Sequence, residues 1–185
     1  MNLTQVLVQL YNLKLSKAKE AAPFMEAALL LAKCTTQQRK ACFLAQVGHE
    51  SGMLVYTKEI WGPTPQQLKY EPPSKLAKQL GNIAPGSGKR YMGRGWIQTT
   101  GESNYIITTR EMRKLVPDCP DFHAEPEKLA FVQYAALSAA IFWNLKKLNT
   151  FADSGDFVTL TKRINGGTNG IAHRQALYTK ALILC

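Results

Sequence analysis

Apolar positions recur at helical spacing over most of the chain, and strand-like alternation is almost absent. From Asn2 to Asn12, Val6, Leu7 and Leu10 share one side, which predicts a short helix. Ser16 offers an N-cap for a second helix reaching about Lys33, broken or restarted at Pro23. Thr35 and Gln38 make a capping-box pattern ahead of Ala41, Leu44, Ala45 and Gly48, and Cys42, Phe43 and Val47 widen that face into a core helix. His49 and Glu50 stand at its end, just before Gly52, which can adopt the left-handed conformation that stops a helix. A carboxylate thus sits where buried scaffold meets a turn.

Periodicity fails from Gly62 to Gly95, where prolines and glycines accumulate, with short helices expected at Gln66–Tyr70 and Ser74–Leu80. Trp61, Tyr70, Tyr91, Met92 and Trp96 give this loop-rich stretch material to pack, so it reads as one wall of a cleft rather than a linker. A hairpin near Tyr91 to Thr99 is the one candidate for strand. Glu125-Pro126-Glu127 opens a helix that is apolar almost all round to Trp143. Asp153 or Ser154 caps the next, in which Phe157, Leu160, Thr161 and Ile164 share a face up to Asn165-Gly166-Gly167. A final helix runs from about Ile171 to Leu184. The expectation is a mainly α single domain.

Composition agrees with a self-sufficient core, because 45% of residues are hydrophobic and 19% charged, as in ordinary globular chains. The longest mainly apolar run, Phe131 to Trp143, is interrupted by Gln133 and Ser138 and is too short to cross a bilayer, so no membrane insertion is expected. No Lys or Arg precedes Val6, Leu7, Val8 and Leu10, so a classical signal peptide is not expected either. The corresponding expectation is a protein kept in the cytoplasm until something else releases it. The net charge of +10, from 23 Lys and Arg against 13 Asp and Glu, points to a polyanionic partner: nucleic acid, an anionic cell wall or lipopolysaccharide. Because the basic residues are spread along the chain, a dedicated nucleic-acid module is disfavoured. Cys34, Cys42, Cys119 and Cys185 form no Cys-x-x-Cys pair, and with His49, His123 and His173 they lack any zinc-ligand spacing; reduced structural thiols are expected.

Candidate chemistry narrows further. A zinc-protease helix would need histidine at position 53, which is Met53. Cys42 and His49 share a helix face but are separated by ~10 Å of rise, beyond hydrogen-bond reach, which leaves Cys119 with His123 as the Cys–His alternative. Gly86-Ser87-Gly88-Lys89 lacks the leading strand and first glycine of a phosphate loop. A pair of carboxylates remains. Glu59 follows Glu50 by nine residues, which is ~13 Å along an unbroken helix. Inverting glycosidases hold their two carboxyls roughly 6.5–9.5 Å apart. A bend at Gly52 would close that gap; without it Glu50 pairs locally and Glu59 is a solvated acid. Gly93 and Gly95 allow a close backbone approach, and Arg94, Gln98, Thr100 and Asn104 supply the donor-rich set that sugar hydroxyls and acetamido groups require, unless the stretch is a glycine hairpin with incidental polar residues.

Ala45-Gln46-Val47-Gly48-His49-Glu50-Ser51-Gly52, Arg90-Tyr91-Met92-Gly93-Arg94-Gly95-Trp96-Ile97-Gln98-Thr99-Thr100, Asn104-Tyr105 and Ile164-Asn165-Gly166-Gly167-Thr168-Asn169-Gly170 resemble, in order, the motifs of glycoside hydrolase family 19. The resemblance covers roughly Thr35 to Tyr178 and takes in chitinases and lysozyme-like phage endolysins. It implies a lysozyme-like, two-lobed α-helical fold, with a large lobe of about 1–55 and 125–185 and a small one of about 56–124. It also implies an inverting mechanism with Glu50 as general acid, Glu59 as general base and Thr100 holding the water. His49, Tyr91, Arg94, Gln98, Asn104, Asn165 and Arg174 fall at substrate-binding or supporting positions, and neither cofactor nor metal is required. Trp96 stands where the family has proline, Ser103 replaces an aromatic, and Asn169 stands where plant chitinases carry an acid. The short spacing from Glu50 to Glu59 resembles the endolysin branch, so the expected substrate is peptidoglycan, within an anionic cell envelope, cleaved by a monomer. A chitinase, a Cys-dependent amidase or peptidase, and a non-catalytic wall-binding module are the alternatives.

Overall fold

Asn2 closes a capping box with Gln5, and the chain enters α1 (Leu3–Tyr11), whose Val6, Leu7 and Leu10 are buried as their spacing requires. The computed structural model describes residues 1–185. The second helix, α2 (Leu15–Leu31), begins one residue before Ser16, without a side-chain cap, and passes through Pro23 unbroken. Packing of α2 along both α1 and the later α8 supplies what the proline removes. Thr36, not Thr35, caps α3 (Gln37–Glu50). Its hydroxyl accepts from the Arg39 amide at 3.2 Å.

The loop-rich stretch holds three short helices, α4 (Pro65–Leu68), α5 (Lys75–Leu80) and α6 (Ser87–Arg90), followed by α7 (Glu102–Arg113), which the sequence pattern did not announce. The candidate hairpin reduces to two isolated antiparallel bridges, Lys58 with Arg94 and Arg94 with Thr99. Pro126–Ala130 is a 3-10 turn, and extended backbone at Phe131 (ψ 137°) delays α8 to Val132–Leu145. An additional helix, α9 (Leu148–Asp153), precedes α10 (Phe157–Asn165), so the cap of α10 is Asp156 rather than Asp153 or Ser154. The chain closes with α11 (Ile171–Leu184).

The helix α3 is the core. Every residue from Ala41 to Gly48 is buried, with α11 and α9 packed along it. Phe43 meets the Trp143 ring edge-on at 5.1 Å, and Tyr11 donates its hydroxyl proton to the Leu44 carbonyl at 2.6 Å. Gly48 is required for that contact, since a Cβ there would lie 2.5 Å from Tyr11 Cε1. Large side chains buried this fully contribute ~1.5–3 kcal/mol each, which lets α3 hold a polar end in a fixed place. A smaller cluster of Tyr91, Tyr105, Met112, Cys119, Phe122, Leu129 and Ile141 lies between α7 and α8. Trp96 and Ile97 run from the loop-rich stretch into the main core. Trp96, where the resemblance expects proline, is therefore an anchor between the two parts. No helix is long and apolar enough to cross a membrane.

Candidate active site

The exit from α3 decides the site. Gly52, Met53 and Leu54 have φ of 56°, 57° and 63°, three successive left-handed residues of which only the first is glycine. For the other two this costs ~1–2 kcal/mol each. Hydrogen bonds from Met53 N to Gly48 O at 2.7 Å and from Tyr56 N to Ser51 O at 2.8 Å offset it. The bend expected at Gly52 is thus a left-handed turn, and it returns the chain to lie antiparallel to residues 93–95. Gly95 N donates to Thr57 O and Glu59 N to Gly93 O, both at 2.8 Å.

Glu50, with 17% of its side chain exposed, ends α3 facing α11. Arg174 Nη2 donates to Glu50 Oε1 at 2.5 Å, Nη1 to Gln46 Oε1 at 2.5 Å, and Nε to Asn169 O at 3.1 Å. The guanidinium is 2% exposed. Its donor fork is satisfied on three sides. Arg174 therefore supports Glu50 from behind. At position 169 the structure uses a main-chain carbonyl, so the exchange of an acid for Asn169 leaves this contact intact. Asn165 shapes the same turn, its Oδ1 accepting from Gly167 N at 2.8 Å and its Nδ2 donating to Asn169 O at 3.1 Å.

His49 precedes the acid, its Nδ1 lying 2.9 Å from His173 Nδ1. Partial burial, then the neighbouring Arg174, lowers the His49 pKa, Glu50 opposes, and His173 lowers it further. An imidazole whose folded value lies below its ordinary 6.5 contributes stability that is full above that ordinary value and is lost as pH falls towards the folded one.

Glu59 is held by the loop-rich part. Its Oε1 accepts from Gln67 Nε2 at 2.9 Å and its Oε2 from Gly93 N at 3.1 Å. Gln67, 3% exposed, also donates to Ile60 O and accepts from the Gly62 and Thr64 amides. Gln98 lies over Gly93, where a Cβ would collide with Gln98 Oε1, and that buried oxygen has no protein partner. Thr100 is half-buried at the entrance to α7, and exposed Asn104 donates to its carbonyl at 2.7 Å. Glu59, Gln98 and Thr100 thus belong to the loop-rich part and Asn104 to the first turn of α7 that follows it, whereas Glu50, His49, Arg174 and Asn165 belong to the junction of α3, α10 and α11.

Tyr91 and Arg94 need correction as substrate contacts. Tyr91 is 4% exposed, stacks on His123 and donates its hydroxyl proton to His123 O. Arg94 is 1% exposed, donates to Arg90 O, Met92 O and Tyr105 Oη, and pairs with Glu127. Their polar atoms are turned inward, so both brace the loops that carry Glu59 and Thr100. Arg94→Met leaves Arg90 O without its partner, at ~1–3 kcal/mol, and is expected to lower the thermal midpoint by ~2–12 °C. Limited proteolysis should cut residues 62–90 faster; unchanged cleavage and midpoint would remove the bracing role.

Gln46, Gln67 and His173 are the residues that sequence reasoning missed. Gln46 carried a usable signal, being a polar residue on an apolar helix one turn before Glu50 and so on the same face. Gln67 and His173 carried none, because each reaches the site only through tertiary packing.

The Cys–His alternative fails on the thiols. Burial pushes Cys34 and Cys42 up to about 12 and raises Cys119 as well. All three remain protonated near neutrality, and a thiol is a poor nucleophile. No three His, Cys, Asp or Glu side chains converge as a ligand set. Two concavities, of about 850 and 630 Å³, flank α2 and include neither acid nor Thr100. Neither concavity coincides with the two carboxylates, of which Glu50 ends a core helix and Glu59 stands in the loop-rich part.

This fold is shared with solved glycosidases. Chitinase C from Streptomyces griseus HUT6037 superposes with a TM-score of 0.67 over 96% of this chain and 74% of its own, at 19% identity. A bacterial family 19 chitinase does so at 0.67 over 98% and 93%, at 20% identity. No protein-family model matches the chain. A glycosyl hydrolase family 19 domain-containing protein of Haemophilus influenzae is 32% identical over 176 residues, covering 82% of each chain. An endochitinase of Arabidopsis thaliana is 35% identical over 136 residues, covering 73% of this chain but only 42% of its own length. The protein belongs to glycosyl hydrolase family 19, and as a glycosidase it takes a polysaccharide substrate.

Proposed function

We propose that the protein hydrolyses the glycan strand of bacterial peptidoglycan by inversion, acting as an endolysin once it passes from the host cytoplasm to the wall. The observation that carries the mechanism is the placement of two carboxylates on separate supports, Glu50 on α3 backed by Arg174 and Glu59 in the loops backed by Gln67 and Gly93. Glu50 delivers a proton to the glycosidic oxygen. Glu59 accepts one from the water that attacks the anomeric carbon, and Thr100 orients that water. Gln98, Asn104 and Asn165 meet the hydroxyl and acetamido groups of the sugars.

The charge of +10 favours peptidoglycan over chitin, because chitin is essentially uncharged and a basic surface gains nothing from it. A chitinase is the second reading, favoured by the endochitinases and chitinases that the chain resembles. Mass spectrometry of solubilised peptidoglycan is expected to show new reducing sugars and no new free amino groups. The rate on peptidoglycan should fall with added salt, which screens charge over ~8–10 Å near physiological ionic strength, while cleavage of a short neutral oligosaccharide changes much less. Salt-independent turnover of chitin without release of peptidoglycan fragments would establish the chitinase instead.

A further inference from the structure

The Glu50–Arg174 ion pair has a neighbour one residue back along both helices. His49 and His173 each precede a member of that pair, and their Nδ1 atoms meet at 2.9 Å with the rings tilted by 52°. Two nitrogens at this distance can be neither both bare nor both protonated. Neutral, one ring must carry its proton on Nδ1 while the other accepts there and carries its own on Nε2. With one added proton the bond persists and becomes charge-assisted, whereas a second puts N–H against N–H and drives the rings apart.

Which ring would move is also set. Gly170 (φ 69°) closes the far side of His49, where a Cβ would collide with the imidazole, so His49 is boxed in. His173 is exposed, and solvent protons reach it directly. The charged groups facing the pair are Glu50 from α3 and Arg174 from α11. The intervening turns, residues 51–55 and 166–170, contribute no titratable side chain. Arg174 and His173 disfavour a proton on His49 and Glu50 favours one.

We propose that His173 is a positioning residue: through its bond to His49 it clamps the first turn of α11 to the last turn of α3, holding Arg174 on Glu50, and the clamp opens when the pair takes a second proton. The inference rests on Glu50 being the acid, and it adds an imidazole-dependent acid limb to the one that Glu59 imposes as base.

Nitrogen-15 NMR of the imidazoles tests it without using activity. One ring is expected in the Nδ1–H form and the other in the Nε2–H form, titrating in two coupled steps, and His173→Asn should reduce His49 to a single step. Kinetics between pH ~5 and ~8, the imidazole range, form the second arm. On chitin oligomers or permeabilised cells, whichever the wild type turns over, His173→Ala should lower kcat about tenfold with little change in KM, since a misplacement of about 1 Å can cost ~10²-fold. His173→Asn, which bonds but does not titrate, should restore most of that loss and flatten the acid limb. Two rings both in the Nε2–H form and titrating independently, or an unaltered pH profile in His173→Asn, would overturn the clamp. If Glu50→Gln remains fully active, the reading of the site fails instead, and the NMR result still stands by itself.

Discussion

Glu50→Gln is expected to cut the release of reducing sugars by ~10²–10⁴-fold while the circular dichroism spectrum stays that of the wild type. Glutamine is nearly isosteric and its amide oxygen can still accept from Arg174 Nη2, but it has no proton to give to a leaving oxygen. Because that acceptor survives, the stability loss should be smaller than the ~3–5 kcal/mol of leaving a buried charge unpaired. Glu59→Gln should be impaired through the other half of the reaction, since an amide cannot take a proton from water. Wild-type turnover by a folded Glu50→Gln protein would end its assignment as acid.

The second large effect is expected at Arg174. Its guanidinium is 2% exposed and joins Glu50, Gln46 and the Asn169 carbonyl, so Arg174→Met strips a buried network of its only cation. Breaking such a pair costs ~3–5 kcal/mol, which for a chain of this size corresponds to a fall in thermal midpoint of roughly 6–20 °C. The exposed pair Arg39–Asp153 is an instructive control, because its geometry is equally close at 2.5 Å but solvent screens it. Arg39→Met should therefore lower the thermal midpoint far less than Arg174→Met. Activity of Arg174→Met, measured below its own midpoint, should also fall, because Glu50 loses the group that fixes its rotamer. Arg174→Lys keeps the charge without the planar fork and should be intermediate in both measurements. Were the methionine variant to melt within a degree of wild type and turn over within a factor of two, the network would be a packing detail only.

Strain and support are divided unequally between the two acids. Glu50 sits on the most buried helix of the protein, where the core fixes its backbone and Arg174 its side chain. Glu59 is reached through two non-glycine residues in left-handed conformation and a two-sided bond to Gln67 and Gly93. Its placement depends on loops that bury little apolar surface, so the bracing by Arg94, Tyr91 and Trp96 matters more on that side than any single contact to the carboxylate.

The helices that line the main core were legible because burial imposes a repeat: Val6, Leu7 and Leu10, or Ala41, Leu44, Ala45 and Gly48, line one face only on a helix. The end of α3 was legible too, since His49, Glu50 and Gly52 combine a polar pair with a residue that tolerates positive φ. Helix α7 escaped because Thr108, Thr109 and Tyr105 are buried beside Met112, and polar or aromatic residues in the core leave no clean apolar stripe. The start of α8 was misplaced because a proline followed by acid looks the same ahead of a 3-10 turn as ahead of an α-helix. Arg94 and Tyr91 were expected at substrate-binding or supporting positions, and the pattern alone did not choose between the two because sequence reports a side chain's chemistry but not its direction. Both point inward, where Tyr105, His123, Glu127 and main-chain carbonyls take every donor but the orphaned Arg94 Nε. The acids and the helical scaffold are thus written in local pattern. Their support by Gln46, Gln67, Arg174 and His173 is a matter of which distant segments meet, up to 128 residues apart in the case of Gln46 and Arg174, and only the packed chain decides that.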